Sequence, residues 1–126
     1  MYKVEVSGTP ESIFKVKSGN YEFTIDLKGE GSSPPDTLLA SLASCIGVYI
    51  NKYCQGSNLK IGDFRIIAEA DFSNEKPMGF REIKVFVDLK GAVLDERRKA
   101  ALLEFIKNCP VHNTLHLNPA VDIKII

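Results

Sequence analysis

The chain has 126 residues, of which 44% are hydrophobic and 25% charged, proportions of one globular domain over residues 1–126 and not of a disordered segment. Lysine plus arginine and aspartate plus glutamate balance at 16 each, so the basic excess of a nucleic-acid binder is missing. The N-terminus MYKVEVSGTPE has no apolar signal core. The longest apolar stretch, Leu38 to Ile50, falls short of the roughly 20 residues of a membrane span, so the expectation is a cytoplasmic protein with neither nucleic acid nor membrane as partner.

The first third reads as strands. YKVEV (2–6) alternates, and SIFKVK (12–17) and YEFTIDL (21–27) are separated by Ser18-Gly19-Asn20, a hairpin turn whose glycine and asparagine accept positive φ cheaply. KGEGSS (28–33) is a connector. A helix then starts with Ser33 as N-cap and Pro34 at the first helical position, where its missing N–H has no partner to lose. Asp36 stands at the capping-box spacing, and its charge suits the helix N-terminus. Gly56 is the stop. Between Leu38 and Ile50 this helix is apolar nearly all round, with Ala40, Ala43, Ser44 and Gly47 as a small-residue face. A single chain of 14.0 kDa struggles to surround such a helix, so a second chain is expected to help cover it.

Two strands return over residues 64–72 and 81–89, joined by a hairpin loop at 73–80. A second helix begins after an Asp95 N-cap and runs through ERRKAALLEFIKN. Its Leu102, Phe105, Ile106 and Cys109 follow i, i+3, i+4, i+7, which places Cys109 on the buried face or just beyond it. Pro110 biases Cys109 toward extended geometry at the boundary. CPVHNTLH (109–116) is read as a loop with two partly exposed histidines, and VDIKII (121–126) as a final strand. Hairpins and grouped helices in this order imply an α+β fold with antiparallel sheets and two main helices.

Three cysteines without a signal peptide argue against a structural disulfide framework. Cys45 and Cys109 both face the core, where spacing alone favours inert thiols over a reactive pair. Cys54 lies half a turn out of phase with Cys45 and is expected at the surface. Cys109, His112 and His116 have C-x2-H-x3-H spacing, but no second ligand pair accompanies them, so no metal site is expected. Cys45 or Cys109 with His112 and Asn113 echoes a Cys-His-Asn hydrolase, a poor fit because adjacent residues on a short loop seldom reach the needed geometry.

Two stretches carry a resemblance. GSSPPDTLLASLASC, from Gly31 to Cys45, resembles the G-x-x-P-x-E-L-L-x-A-(small)-x-(small)-(small)-C segment of the OsmC/Ohr superfamily, and CPVHNTL from Cys109 resembles its C-P-(V/Y)-S-x-(T/A)-L segment. The resemblance implies an OsmC-like fold working as an intertwined homodimer with the Cys-bearing helices central. It implies a thiol peroxidase for organic hydroperoxides, with Cys45 as peroxidatic thiolate and Cys109 as resolving thiol. A lipoyl or other dithiol would restore the pair, with no metal or organic cofactor. A non-catalytic relative holding a small hydrophobic ligand at the dimer interface is the alternative. The chain departs from the peroxidase subfamilies at three places, in the manner of a divergent OsmC-like branch. Pro35 stands where they carry Glu, with Asp36 one residue later; no Arg precedes Arg65, leaving Lys17 as the candidate cation; and His112 replaces a Ser. Asp36, Lys17 and His112 are therefore the candidate supporting residues.

Overall fold

The computed structural model describes residues 1–126. The chain divides into two compact units, Met1–Leu39 and Ala40–Ile126.

The first unit is built on a three-stranded antiparallel sheet of β1 (Glu5–Gly8), β2 (Ile13–Ser18) and β3 (Tyr21–Asp26) in that order. Gly19 makes the β2–β3 turn with φ at +54°, as its sequence asks. The register sets Lys17 opposite Glu5 on one side and Glu22 on the other. Val16 is the buried apolar side chain of this sheet. Buried Asp26 accepts the Lys28 N–H at 2.8 Å, and its own N–H donates to the Ser32 carbonyl, which folds the connector back on β3. Gly31 is required by close approach: a Cβ there would stand 2.8 Å from the Thr24 carbonyl oxygen. The first strand begins three residues later than the alternation of YKVEV implies, because Tyr2 to Val4 have no ladder partner.

Helix α1 runs Pro34–Gly56, with the start and stop the sequence marks. Ser33 Oγ accepts the Asp36 N–H at 3.2 Å and donates to Asp36 Oδ2 at 2.8 Å, while the Thr37 N–H takes the Ser33 carbonyl. A reciprocal cap of this kind satisfies otherwise orphaned amides of the first turn.

In the second unit, β4 (Arg65–Glu69) pairs antiparallel with β7 (Lys84–Asp88). The short strands β5 (Phe72–Ser73) and β6 (Gly79–Phe80) close the tip: the strand expected over 64–72 is broken after Glu69, and the hairpin loop expected at 73–80 carries strand residues at both its ends. Helix α2 (Glu96–Ile106) starts on Asp95, whose carboxylate accepts the Arg98 N–H at 2.8 Å. Leu42, Ile46 and Ile50 of α1 form an i, i+4, i+8 stripe that meets Leu102 and Ile106 of α2 in one buried cluster, with Ile66, Val85 and Val87 packed against it. Burying each such side chain stabilises by about 1.5–3 kcal/mol. Phe105 of α2 lies 5.6 Å from the Tyr49 ring and 5.5 Å from the Tyr53 ring.

Three local expectations are corrected. CPVHNTLH is a helix, α3 (Pro110–Leu117), because Pro110 takes its first position and Cys109 caps it. VDIKII forms no strand: the alternation is present, but no strand of the chain pairs with it, and Ile123 and Ile125 are exposed. Cys54 is half-buried and packed against the core, because Tyr53 and Phe105 widen the apolar contact beyond one stripe. Within one chain α1 is not covered all round, and Leu38 and Val48 remain exposed.

Candidate functional site

Cys45 sits in mid-α1, one residue before buried Ile46, and is half-buried. Cys109 follows α2 and is wholly buried. Both belong to the cluster of Leu42, Ile46, Leu102 and Ile106. Helical phase brings Cys45 in from α1, and the α2–α3 junction brings Cys109 in from the other side. The two thiols are neighbours, close enough for Cys45 to act on the titration of Cys109. All three cysteines are free thiols.

The backbone of Cys109 is extended, with φ −65° and ψ 143°, as a residue before proline should be. From that position its sulfur accepts the His112 main-chain N–H at 3.3 Å. Four influences act on the Cys109 thiol. Burial pushes its pKa up, the His112 amide pulls it down, and the Cys45 thiol pushes it up, with a further downward pull from the Val111 amide. The net direction is upward, so the resting thiol is protonated at neutral pH. Burial also raises the Cys54 thiol.

The imidazole of His112 is not what meets the sulfur. Its Nδ1 is 2.7 Å from the Lys107 carbonyl oxygen, so that nitrogen carries the proton and donates. No group of three His, Cys, Asp or Glu side chains converges as a metal site would require. Asn113 donates its side-chain N–H to the Asn108 carbonyl at 3.2 Å, tying off the α2–α3 junction.

Beside the thiol pair lies a cleft of about 570 Å³ between α1, β6–β7, α2 and α3. Its walls are largely apolar, with Leu42, Ile46, Val85, Val87, Leu103 and Leu115 among them, and His112, His116, Lys107 and Arg81 supply polar edges. Neither sulfur lines it, but Leu42, Ile46 and Ile106 are shared between the cleft wall and the thiol cluster. The cleft is not legible in the sequence, since it needs α3 to be a helix that sets His112 and His116 one turn apart on one face.

A family model described as OsmC-like protein matches residues 27–124. The chain belongs to the OsmC-like family. Its structure is similar to an OsmC-like protein from Mycoplasma pneumoniae, with 22% identity and a TM-score of 0.80 over 92% of this chain and 87% of that one. It is also similar to a putative osmotic stress induced and detoxification response protein from Psychrobacter arcticus, with 21% identity and a TM-score of 0.79 over 90% and 88% of the two chains. The organic hydroperoxide resistance protein OhrB of Bacillus subtilis matches at 22% identity and a TM-score of 0.63, over 94% and 92%. No curated protein sequence matches. No helix is long and apolar enough to cross a membrane.

Both stretches that carry the OsmC-like resemblance have a defined structural role. Gly31 allows the connector to approach β3, and Ser33 with Asp36 caps α1. Asp36 therefore has a partner in its own turn. Lys17 is exposed on β2 in the first unit.

Proposed function

We propose that this OsmC-like protein is a thiol-dependent peroxidase for organic hydroperoxides, with Cys45 peroxidatic and Cys109 resolving. The observation that carries the reading is the meeting of the two thiols in one apolar cluster, Cys45 half-buried and Cys109 wholly buried. Solved structures of similar fold include proteins described as organic hydroperoxide resistance proteins, which supports the peroxide-stress class. The Cys45 thiolate attacks the O–O bond, breaking it to give Cys45 sulfenic acid and an alcohol once the alkoxide takes a proton. Cys109 then attacks that sulfur, forming the disulfide and releasing water. A dithiol returns both sulfurs to the reduced state and is itself oxidised to a disulfide. No metal or organic cofactor takes part in this scheme. A homodimer, which would cover the exposed apolar residues Leu38 and Val48 of α1, belongs to the same proposal.

The test is cumene hydroperoxide consumption with dihydrolipoamide as reductant. The wild type should turn over repeatedly. Cys45→Ser should be inactive, and Cys109→Ser treated with peroxide in the absence of dithiol should consume one equivalent and hold Cys45 as a sulfenic acid that dimedone traps, with no intramolecular disulfide. Equal consumption by wild type and Cys45→Ser would defeat the reading.

A second reading rests on the cleft: a non-catalytic protein holding a small hydrophobic ligand. A pocket of this size with apolar walls and a few polar groups has the form of a small-molecule site. Ligand binding without peroxide turnover would favour it.

A further inference from the structure

The two thiols differ in access and in what holds them. Cys45 is half-buried, whereas Cys109 has no exposed surface. Cys109 is also the residue that caps α3, a helix of eight residues. Pro110 has no N–H, so the first amides of α3 are those of Val111 and His112. The second donates to the sulfur at 3.3 Å, and the first pulls its titration the same way. The positive end of the helix adds to this. A negative charge on Cys109 therefore has donors in place, while the surrounding Leu102, Ile106 and Ile50 keep solvent away.

We infer that both the oxidant and the reductant enter through Cys45, and that Cys109 acts only from the interior, departing during disulfide reduction as a thiolate held by the main-chain N–H of His112. This rests on the peroxidase reading and adds to it the direction of reduction. A thiolate of the dithiol bonds to Cys45 Sγ. The Cys45–Cys109 bond breaks, and its electron pair goes to Cys109 Sγ, which later takes a proton. The second thiol of the reductant, deprotonated, then attacks the reductant sulfur of the mixed disulfide. Cys45 leaves as thiolate, and the reductant departs as a cyclic disulfide. Thiol–disulfide exchange requires the attacked sulfur to be reachable, and access chooses Cys45 as the sulfur attacked, while the His112 amide offsets part of the cost that burial puts on a departing Cys109 thiolate. His112 is a positioning residue here through its backbone, and its ring is turned to Lys107.

The experiment oxidises the full chain with diamide, so disulfide formation does not depend on peroxide turnover. It then pulses with excess glutathione, quenches in acid and maps the adduct by mass spectrometry. Glutathione should appear on Cys45 at least tenfold over Cys109. Equal or greater labelling of Cys109 overturns the inference, and so does failure of diamide to join Cys45 to Cys109. If the disulfide forms but hydroperoxide is not consumed, the peroxidase reading fails while the adduct map still decides this one. Two variants test the amide. His112→Ala keeps the N–H and should be reduced by dithiol at the wild-type rate. His112→Pro, once shown folded by circular dichroism, lacks it and should be reduced at least tenfold more slowly. A tenfold loss in His112→Ala would assign the effect to the ring and overturn the role of the amide.

Discussion

The His112 amide stands 3.3 Å from Cys109 Sγ, and the His112 ring turns away to the Lys107 carbonyl 2.7 Å from Nδ1. One residue thus contributes its main chain to the thiol and its side chain to the helix junction. The division follows from Cys109 being an N-cap: a cap accepts from the amide three residues on, whatever side chain that residue carries.

The Cys109 thiol has its pKa raised by burial above the unfolded value of about 8.5. The sign follows from linkage. Above the unfolded pKa the unfolded chain has lost this proton while the folded chain keeps it, so stability falls with rising pH until the folded pKa is passed. The full contribution is present below pH of about 8.5. Cys54 acts in the same sense. Urea midpoints measured from pH 7 to 10 should therefore decline more steeply in the wild type than in a Cys54→Ala, Cys109→Ser variant. Serine retains an oxygen acceptor at the cap and does not titrate. Parallel profiles would contradict the raised thiols.

Much of this fold is written locally. Ser33 and Pro34 begin α1 and Gly56 ends it, and Asp95 begins α2, because caps and stops act within a few residues. Pro110 shows the limit of that logic. A proline after a helix both forbids its continuation and favours the first position of a new one, and only the second role yields α3. The tail shows a different limit. Alternation in VDIKII states which side chains share a face but not which strand lies alongside. For the site, helical phase puts Cys45 and Cys109 on inward faces, yet their meeting depends on how α1 packs against the α2–α3 junction. The cleft is not legible for the same reason, since its walls come from five separate elements.

The α1 start gives a prediction that separates support of the helix from support of the chemistry. Ser33 and Asp36 are bonded to each other at 2.8 Å. Ser33→Ala should cost about 1 kcal/mol in urea denaturation. Asp36→Asn should cost less, about 0.3–1 kcal/mol, by weakening the charge at the helix N-terminus. Alkylation of Cys45 by iodoacetamide at pH 7 should proceed at the wild-type rate in Asp36→Asn. A tenfold change would give Asp36 a part in thiol activation beyond its cap.

Ile50 has no exposed surface and stands at the end of the α1 stripe. Ile50→Val should cost about 0.5–1.5 kcal/mol and Ile50→Ala about 2–5 kcal/mol. Ala at exposed Val48 should stay within about 0.5 kcal/mol in the isolated chain. If a second chain covers this face of α1, as the dimer proposal requires, the Val48 cost rises and depends on protein concentration. Denaturation at two concentrations a hundredfold apart distinguishes the cases.

The cleft can be read directly because the chain contains no tryptophan. Leu115 lies on α3 and lines the cleft, so Leu115→Trp places a single fluorophore at its wall. Titration with 2-phenyl-2-propanol, the alcohol that cumene hydroperoxide yields on reduction, should shift the emission to shorter wavelength and saturate. Val85 is a wall residue on β7, and Val85→Arg in the same background should weaken binding at least tenfold, about 1.4 kcal/mol, by putting a charge where apolar surface was buried. The alcohol should also inhibit peroxide turnover competitively if the cleft delivers substrate toward Cys45. Saturable binding without competition would make the cleft a separate ligand site. A linear, non-saturating response, or one unchanged by Val85→Arg, would remove the cleft from both readings and leave the thiol pair to stand alone.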